Sequence, residues 1–333
     1  MLYVGVDTHR ATSHITVMDE TGRVLKRKQV PSSPAGLRQV LGPYGEPLKA
    51  VLEASSTWGP VYDWLDELVD EVILAHPAKV KAIADARIKT DKIDSETLAH
   101  LLRANLIPQA YAPSKDVRAI KRVLRQRMFL VRVGAMVKNR IHALLSQHLV
   151  ERPKVSDLFG QAGLLWLREV PLPEPDRRVL DSDLSLLEEL HDRIAATNDL
   201  LMELAAGDQA VRWLGSVPGI GNFFSVLIRY EIADVRRFRT AKRFVSHTGL
   251  VPSTYASGER LAHGRLTKRG NKWLRWAFIE AVTPAIRSSA FLRRHYDRLK
   301  ARRGIKDARV STARKIAELT WTVWREGRCY EER

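Results

Sequence analysis

The sequence predicts a mixed α/β domain followed by a mostly α-helical, strongly basic remainder. Three observations carry that reading. Strand and helix periods alternate over the first stretch of chain, helical periods dominate after it, and positive charge gathers toward the C-terminus.

The elements follow in order. Leu2–Val6 is a short apolar strand that runs into Asp7. Ser13–Met18 and Val24–Val30 have strand composition, with the turn pair Thr21-Gly22 between them. Pro34–Leu41 has helical spacing, Lys49–Leu52 is a strand running into Glu53, and Trp58–Val69 returns to a helical period. Glu71–Leu74 is a further strand and Asp91–Ala104 an amphipathic helix. The order β-β-β-α-β-α-β-α is the order a ribonuclease H-like fold needs. Beyond it, Asp116–Gln147 reads as one long basic helix. Leu187, Leu190, Ile194, Thr197, Leu201 and Leu204 then repeat at 3-4-3-4-3 spacing. That spacing suits a coiled-coil seam between two chains, and equally a helix packed on its own domain. Pro171–Asp176 is the best linker segment.

Composition narrows the setting. The 333 residues allow about two domains. One cysteine, Cys329, permits no intramolecular disulfide, and no Cys/His group has zinc spacing. No apolar run is long enough for a membrane span, and Met1–Asp7 meets a carboxylate and then Arg10 too early for a signal peptide. A cytoplasmic protein is expected. The net charge is +17, and residues 207–333, with 27 Lys/Arg against 11 Asp/Glu, hold +16 of it. A surface so charged attracts polyanions and releases counterions from nucleic acid. Residues 112–154 are basic as well, whereas 155–206 are acidic.

Four carboxylates stand out. Asp7 and Glu53 end predicted strands, and Asp91 and Asp94 share one face at the start of a helix. Brought to one point they would repel unless a cation neutralised them, and hard Mg²⁺ or Mn²⁺ with oxygen ligands fits that need. Each also has a plain local use, at a turn or at a helix N-terminus.

Two motifs mark the basic half. Ser216-Val217-Pro218-Gly219-Ile220-Gly221, ahead of an apolar helix over Phe223–Tyr230, resembles the hairpin of helix-hairpin-helix modules. There, as Gly219 and Gly221 could here, glycines let backbone N–H groups approach a phosphate; a tight helix–helix turn would use the same residues. Tyr255-Ala256-Ser257-Gly258 is followed by Arg260, Arg265, Lys268, Arg269, Asn271 and Arg275, groups able to hold a phosphate that a serine attacks. His247 and His263 are candidate proton carriers. No Walker-type loop occurs, so nucleoside triphosphate use is not expected.

Taken together, several blocks resemble the insertion sequence one-ten family of transposases. They are Tyr3-Val4-Gly5-Val6-Asp7-Thr8, Leu52-Glu53-Ala54, Lys89-Thr90-Asp91-Lys92-Ile93-Asp94, Lys138-Asn139-Arg140-Ile141-His142, Val217-Pro218-Gly219-Ile220-Gly221 and Tyr255-Ala256-Ser257-Gly258. The blocks keep family order over nearly the whole chain. One run departs from the pattern: Ser55-Ser56-Thr57-Trp58 stands where family members often have a shorter Thr-Gly-x-Tyr-like run.

The resemblance implies a RuvC-like domain over residues 1–154 whose Asp-Glu-Asp-Asp set is Asp7, Glu53, Asp91 and Asp94. It implies a helical or coiled-coil connector over 155–206 and a mainly helical transposase domain over 207–333 with Ser257 as nucleophile. It further implies donor and target DNA as substrates, a structured non-coding bridge RNA as guide, and a covalent serine–DNA intermediate at a site built from different protomers. Homodimers pairing into a tetramer on DNA are the implied assembly. Nucleic-acid contacts are expected from Lys138, Arg140, Gly219, Gly221, Arg260, Arg265, Lys268, Arg269, Asn271 and Arg275. The competing enzyme reading is a metal-dependent, structure-selective nuclease in which water attacks. A nucleic-acid-binding module with a decayed carboxylate site is the non-enzyme alternative.

Overall fold

A computed structural model describes residues 1–83, 91–257, 260–266 and 270–332, with residues 91, 92, 253–257 and 260–265 described as backbone only. The chain divides into two compact units, Met1–Ala112 and Pro113–Arg333.

The N-terminal unit is built on a five-stranded sheet of order β3-β2-β1-β4-β5. Strands β1 (Leu2–Thr8), β2 (Thr12–Met18) and β3 (Val24–Pro31) form an antiparallel meander, and β4 (Leu48–Glu53) and β5 (Glu71–Ala75) add in parallel to β1. The parallel pairs need crossovers, supplied by α1 (Pro34–Leu41) and α2 (Trp58–Asp66). Val4, Val6, Ile15, Val17, Ala50, Leu52 and Leu74 bury one face of the sheet with these helices. The other face packs Tyr3, Val51, Ile73 and Ala75 against Leu98 and Leu102 of α4 (Asp91–Arg103). Near-continuous apolar runs in β1 and β4 follow from burial on both faces. A short α3 (Pro77–Ile83) follows β5; seven residues are too few for a helical period to be read from sequence.

Among its described residues the C-terminal unit is helical apart from one hairpin. Helix α5 (Lys115–Gln147) pairs with α7 (Asp176–Leu204), while α6 (Gln161–Glu169) covers their far end. Leu187, Leu190 and Ile194 pack beside Val137, Ile141 and Leu145 of α5, so this part of the 3-4 seam is used within the chain. Leu201 joins a second cluster with Ile120 and Leu124 of α5. The segment at Pro171–Asp176 joins α6 to α7, and Arg177 donates to the carbonyls of Leu167 and Val170 across it.

Helices α8 (Gln209–Gly215), α9 (Asn222–Ile232), α10 (Ala241–Thr248), α11 (Lys272–Ser288) and α12 (Ala290–Glu326, broken at Gly304) share the largest core, centred on Phe244 and Phe278. Between α10 and α11 the antiparallel pair β6 (Pro252–Ser257) and β7 (Arg260–Leu266) stands alone as a two-stranded sheet. No helix among the described residues is long and apolar enough to cross a membrane.

Candidate functional site

In the N-terminal unit the register decides where the acids go. Val6 pairs with Leu52 across β1 and β4, so Asp7 and Glu53, each one residue further, lie side by side on adjacent parallel strands. Both follow the two-residue alternation of the α4 face, Asp7 after Gly5 and Glu53 after Val51. Neighbouring strands are about 4.8 Å apart, so two carboxylates at this level are close enough to share a cation.

Helix α4 runs antiparallel to β1, and three contacts fix it. A Cβ on Gly5 would stand 1.9 Å from the Ser95 carbonyl oxygen and 2.7 Å from the Ala99 nitrogen, so helix backbone rests on strand backbone at this point. Beside it the Ser95 and Thr16 hydroxyls share a buried 2.9 Å hydrogen bond. At the other end of α4, Arg103 donates to the Glu20 carbonyl in the β2–β3 turn. The first turn of α4, with Asp91 and Asp94, therefore comes to the sheet edge where Asp7 and Glu53 end their strands. The side chain of Asp91 lies outside the described residues.

Local partners frame this edge. Asp7 Oδ2 is 3.3 Å from His9 Nε2 and is mostly shielded from solvent. The departing run after Glu53 is held in place, because Ser55 N–H donates to the Glu53 carbonyl at 2.7 Å and the Thr57 hydroxyl donates to the Thr8 carbonyl at 3.4 Å. Among the described residues, no three His, Cys, Asp or Glu side chains already form a metal-holding group. The donors present are hard carboxylate oxygens, which suit Mg²⁺ or Mn²⁺ rather than a thiophilic ion.

In the C-terminal unit Ser257 ends β6 opposite Arg260, the first residue of β7. Their side chains and that of Arg265 lie outside the described residues, as do Lys268 and Arg269 altogether. The base of the hairpin is described fully. Gly249, at φ +73°, closes α10, and a Cβ on Gly270 would stand 2.3 Å from its nitrogen. The two glycines thus let the chain entering β6 pass against the chain leaving β7. Asn271 follows: its N–H donates to the His247 carbonyl at 2.8 Å, and its Oδ1 accepts from Trp273 and Leu274 as the N-cap of α11. Its Nδ2 donates to Glu231 Oε2 at 2.7 Å.

Glu231 is the buried charge of this region, its side chain 1% exposed. Lys121 Nζ lies 3.4 Å from it and Arg125 pairs with it, both from α5. Arg125 also lies over the Trp273 ring. Arg275 reaches Gly249, where a Cβ would meet its Nη1 at 2.5 Å, and that nitrogen is buried without an acceptor among the described residues. His247 packs on Phe238, and burial, with Arg237 and Lys121 nearby, lowers its pKa to about 4. It is neutral at pH 7 and a poor proton acceptor there.

The remaining predicted contacts are dispersed. Lys138 lies over the Phe159 ring, and Arg140 pairs with the buried Asp183 at 3.3 Å, so both are engaged within α5–α7. Gly219, at φ +85°, packs directly on α11, where a Cβ would meet the Ala281 carbonyl at 2.2 Å. Gly221 is exposed at the N-cap of α9 with open space around it. Of the two glycines, then, one serves packing and the other leaves helix N–H groups open. Lys121, Arg125 and Glu231 were not singled out in the sequence. The available signal was a lone carboxylate on the apolar face of α9, one turn from Leu227 and Ile228.

A sheet edge presenting paired carboxylates, with a basic helical unit elsewhere in the same chain, is the equipment of an enzyme acting on nucleic acid. Comparison with known proteins defines the class as insertion-sequence transposases. Residues 4–150 match the DEDD-type transposase domain of IS110 elements, and residues 211–297 match the domain described as "Transposase IS116/IS110/IS902 family". The chain belongs to that family. It is 26% identical to the "Probable family 20 transposase" of Pseudomonas aeruginosa, covering 98% of both chains. It is 23% identical to the "Transposase for insertion sequence element IS1328" of Yersinia enterocolitica, over 99% of this chain and 98% of that one. Against the "Transposase for insertion sequence element IS1111A" of Coxiella burnetii it is 25% identical, over 96% and 88%. Membership implies DNA as substrate, and the DEDD-type domain points to divalent-metal use in general.

Proposed function

We propose that this transposase cuts and rejoins DNA through a covalent Ser257–DNA intermediate, with Asp7, Glu53, Asp91 and Asp94 holding Mg²⁺ or Mn²⁺. Donor and target DNA are its substrates, a structured bridge RNA guides their pairing, and homodimers join into a tetramer in the cytoplasm. The observation that carries the reading is the convergence of Asp7, Glu53 and the first turn of α4 on one sheet edge. The strand order β3-β2-β1-β4-β5 supports a ribonuclease H-like, RuvC-like fold for this part. The functional organisation is a RuvC-like domain over 1–154, a connector over 155–206 and a transposase domain over 207–333.

The bound ion would supply positive charge to the phosphate oxygens. The four carboxylates bind and orient that charge. Ser257 Oγ forms a bond to phosphorus while the bond from phosphorus to the leaving deoxyribose oxygen breaks, and the hydroxyl proton ends on that oxygen. Rejoining reverses this with a new strand's hydroxyl, so no ATP is needed. Arg260, Arg265, Lys268 and Arg269 hold phosphates near the serine, Arg275 supports them from the hairpin base, and Gly221 offers open helix N–H groups. Lys138 and Arg140 contact nucleic acid from α5, positioning it without reading sequence.

The test uses the whole protein with copurifying RNA, labelled donor and target DNA, and Mg²⁺. After denaturation, label should migrate with wild-type protein and with none of the S257A variant. D7N should fold normally and lower adduct yield about 10²-fold or more. Cleavage by S257A at the wild-type rate would make water the nucleophile and the protein a metal-dependent nuclease.

A further inference from the structure

We propose that Glu231 and Asn271 are positioning residues that fasten the base of the hairpin carrying Ser257. The inference rests on the Ser257 reading for its link to chemistry, and on geometry for the fastening itself.

A two-stranded hairpin has little stability of its own in water and takes its orientation from what holds its ends. Here the ends are held at one place. Gly249 and Gly270 bring the entering and leaving backbones into contact, and Asn271 bonds back to the His247 carbonyl. Asn271 has one further donor, Nδ2, and it goes to Glu231. That carboxylate is buried and charged, so its partners are strongly constrained: moving any of them strands a charge away from water. Lys121 and Arg125 hold it from α5, a helix that reaches across the whole α5–α7 pair. Glu231 therefore ties the hairpin base, through Asn271, to α9 and α5 rather than to α11 alone.

Capping and fastening use different atoms of Asn271, Oδ1 for the α11 N–H groups and Nδ2 for Glu231. This allows the two roles to be separated. N271D keeps an N-cap oxygen but sets a second carboxylate against Glu231. The double variant E231Q/N271D keeps the cap and restores the bond with its polarity reversed, the introduced amide donating to the introduced carboxylate.

Two readouts on the full-length protein decide the matter. One is amide hydrogen exchange over 252–257 and 260–266, and the other is the rate of serine–DNA adduct formation, with DNA affinity measured alongside. N271D should raise exchange and lower the adduct rate at saturating DNA, each by about tenfold or more. The double variant should return both to within about threefold of wild type. Wild-type behaviour of N271D, or a double variant no better than N271D, would overturn the proposal. If N271D does not fold, N271S, which keeps a cap oxygen and lacks Nδ2, is read in its place with the same expectation. Failure of wild-type protein to form any adduct would remove the Ser257 reading, and the exchange measurements would still decide whether this pair fastens the hairpin.

Discussion

The two units hold their candidate site residues in opposite ways. In the N-terminal unit, Asp7 and Glu53 are placed by strand register, and α4 is seated on bare backbone at Gly5. In the C-terminal unit, the Ser257 hairpin stands on a buried carboxylate, two cations and an amide drawn from three helices. Register is local and steric, and it leaves little to adjust. Buried charge is long-ranged and costly when disturbed, so it couples elements far apart in sequence. The units should therefore fail differently, the first to added volume and the second to altered protonation.

The largest effect expected from that contrast is in the N-terminal unit. G5V puts a branched side chain where a methyl would already overlap the Ser95 carbonyl, and should cost roughly 4 kcal/mol or more. Chemical denaturation, with hydrogen exchange over residues 2–8 as the local probe, measures it. A loss below about 1 kcal/mol would mean that α4 can lift off β1, and the steric half of the contrast would fall.

A smaller effect is expected from His247. Folded, its pKa is about 4; unfolded, it returns to the ordinary 6.5. Between these values the unfolded chain binds a proton that the folded chain does not. Stability present above pH 6.5 is thus lost as pH falls toward 4, by about 3 kcal/mol. Urea titrations of wild type and H247Q across this window should diverge, the variant losing correspondingly less. Parallel curves would show that charge and burial at the hairpin base matter less than its packing.

The smallest effect is on affinity. Neutralising Arg265, Lys268 and Arg269 together should flatten the plot of log K against log salt for duplex DNA by up to about 2.7, each phosphate contact contributing about 0.9. An unchanged slope would put the DNA-binding charge elsewhere in the chain.

The contrast also explains what the sequence could yield. Every strand of the N-terminal sheet was legible, because alternation, turn residues and strand-end carboxylates are local signals. Helices α5 and α9 were legible from their periods. The partner of the α7 seam was not, since Leu187, Leu190 and Ile194 have the same spacing whether they meet α5 or a second chain. Glu231 was not legible for a stronger reason. Its partners lie at Lys121, Arg125 and Asn271, and no local pattern links positions so far apart. Likewise the Gly219 motif suited a phosphate cradle and a tight helix–helix turn alike, and only the fold shows that Gly219 packs against α11.

Most packed surfaces tolerate change because a neighbouring side chain can turn to another rotamer and take up the difference. Under α4, at Gly5, there is no side chain to turn. The acidic first turn of that helix thus keeps its distance from the strand as a fixed mechanical dimension, insensitive to repacking of Leu98 or Leu102 further along. Drift elsewhere on this face can alter how firmly the helix is held, while the backbone contact at position 5 sets how high it rides.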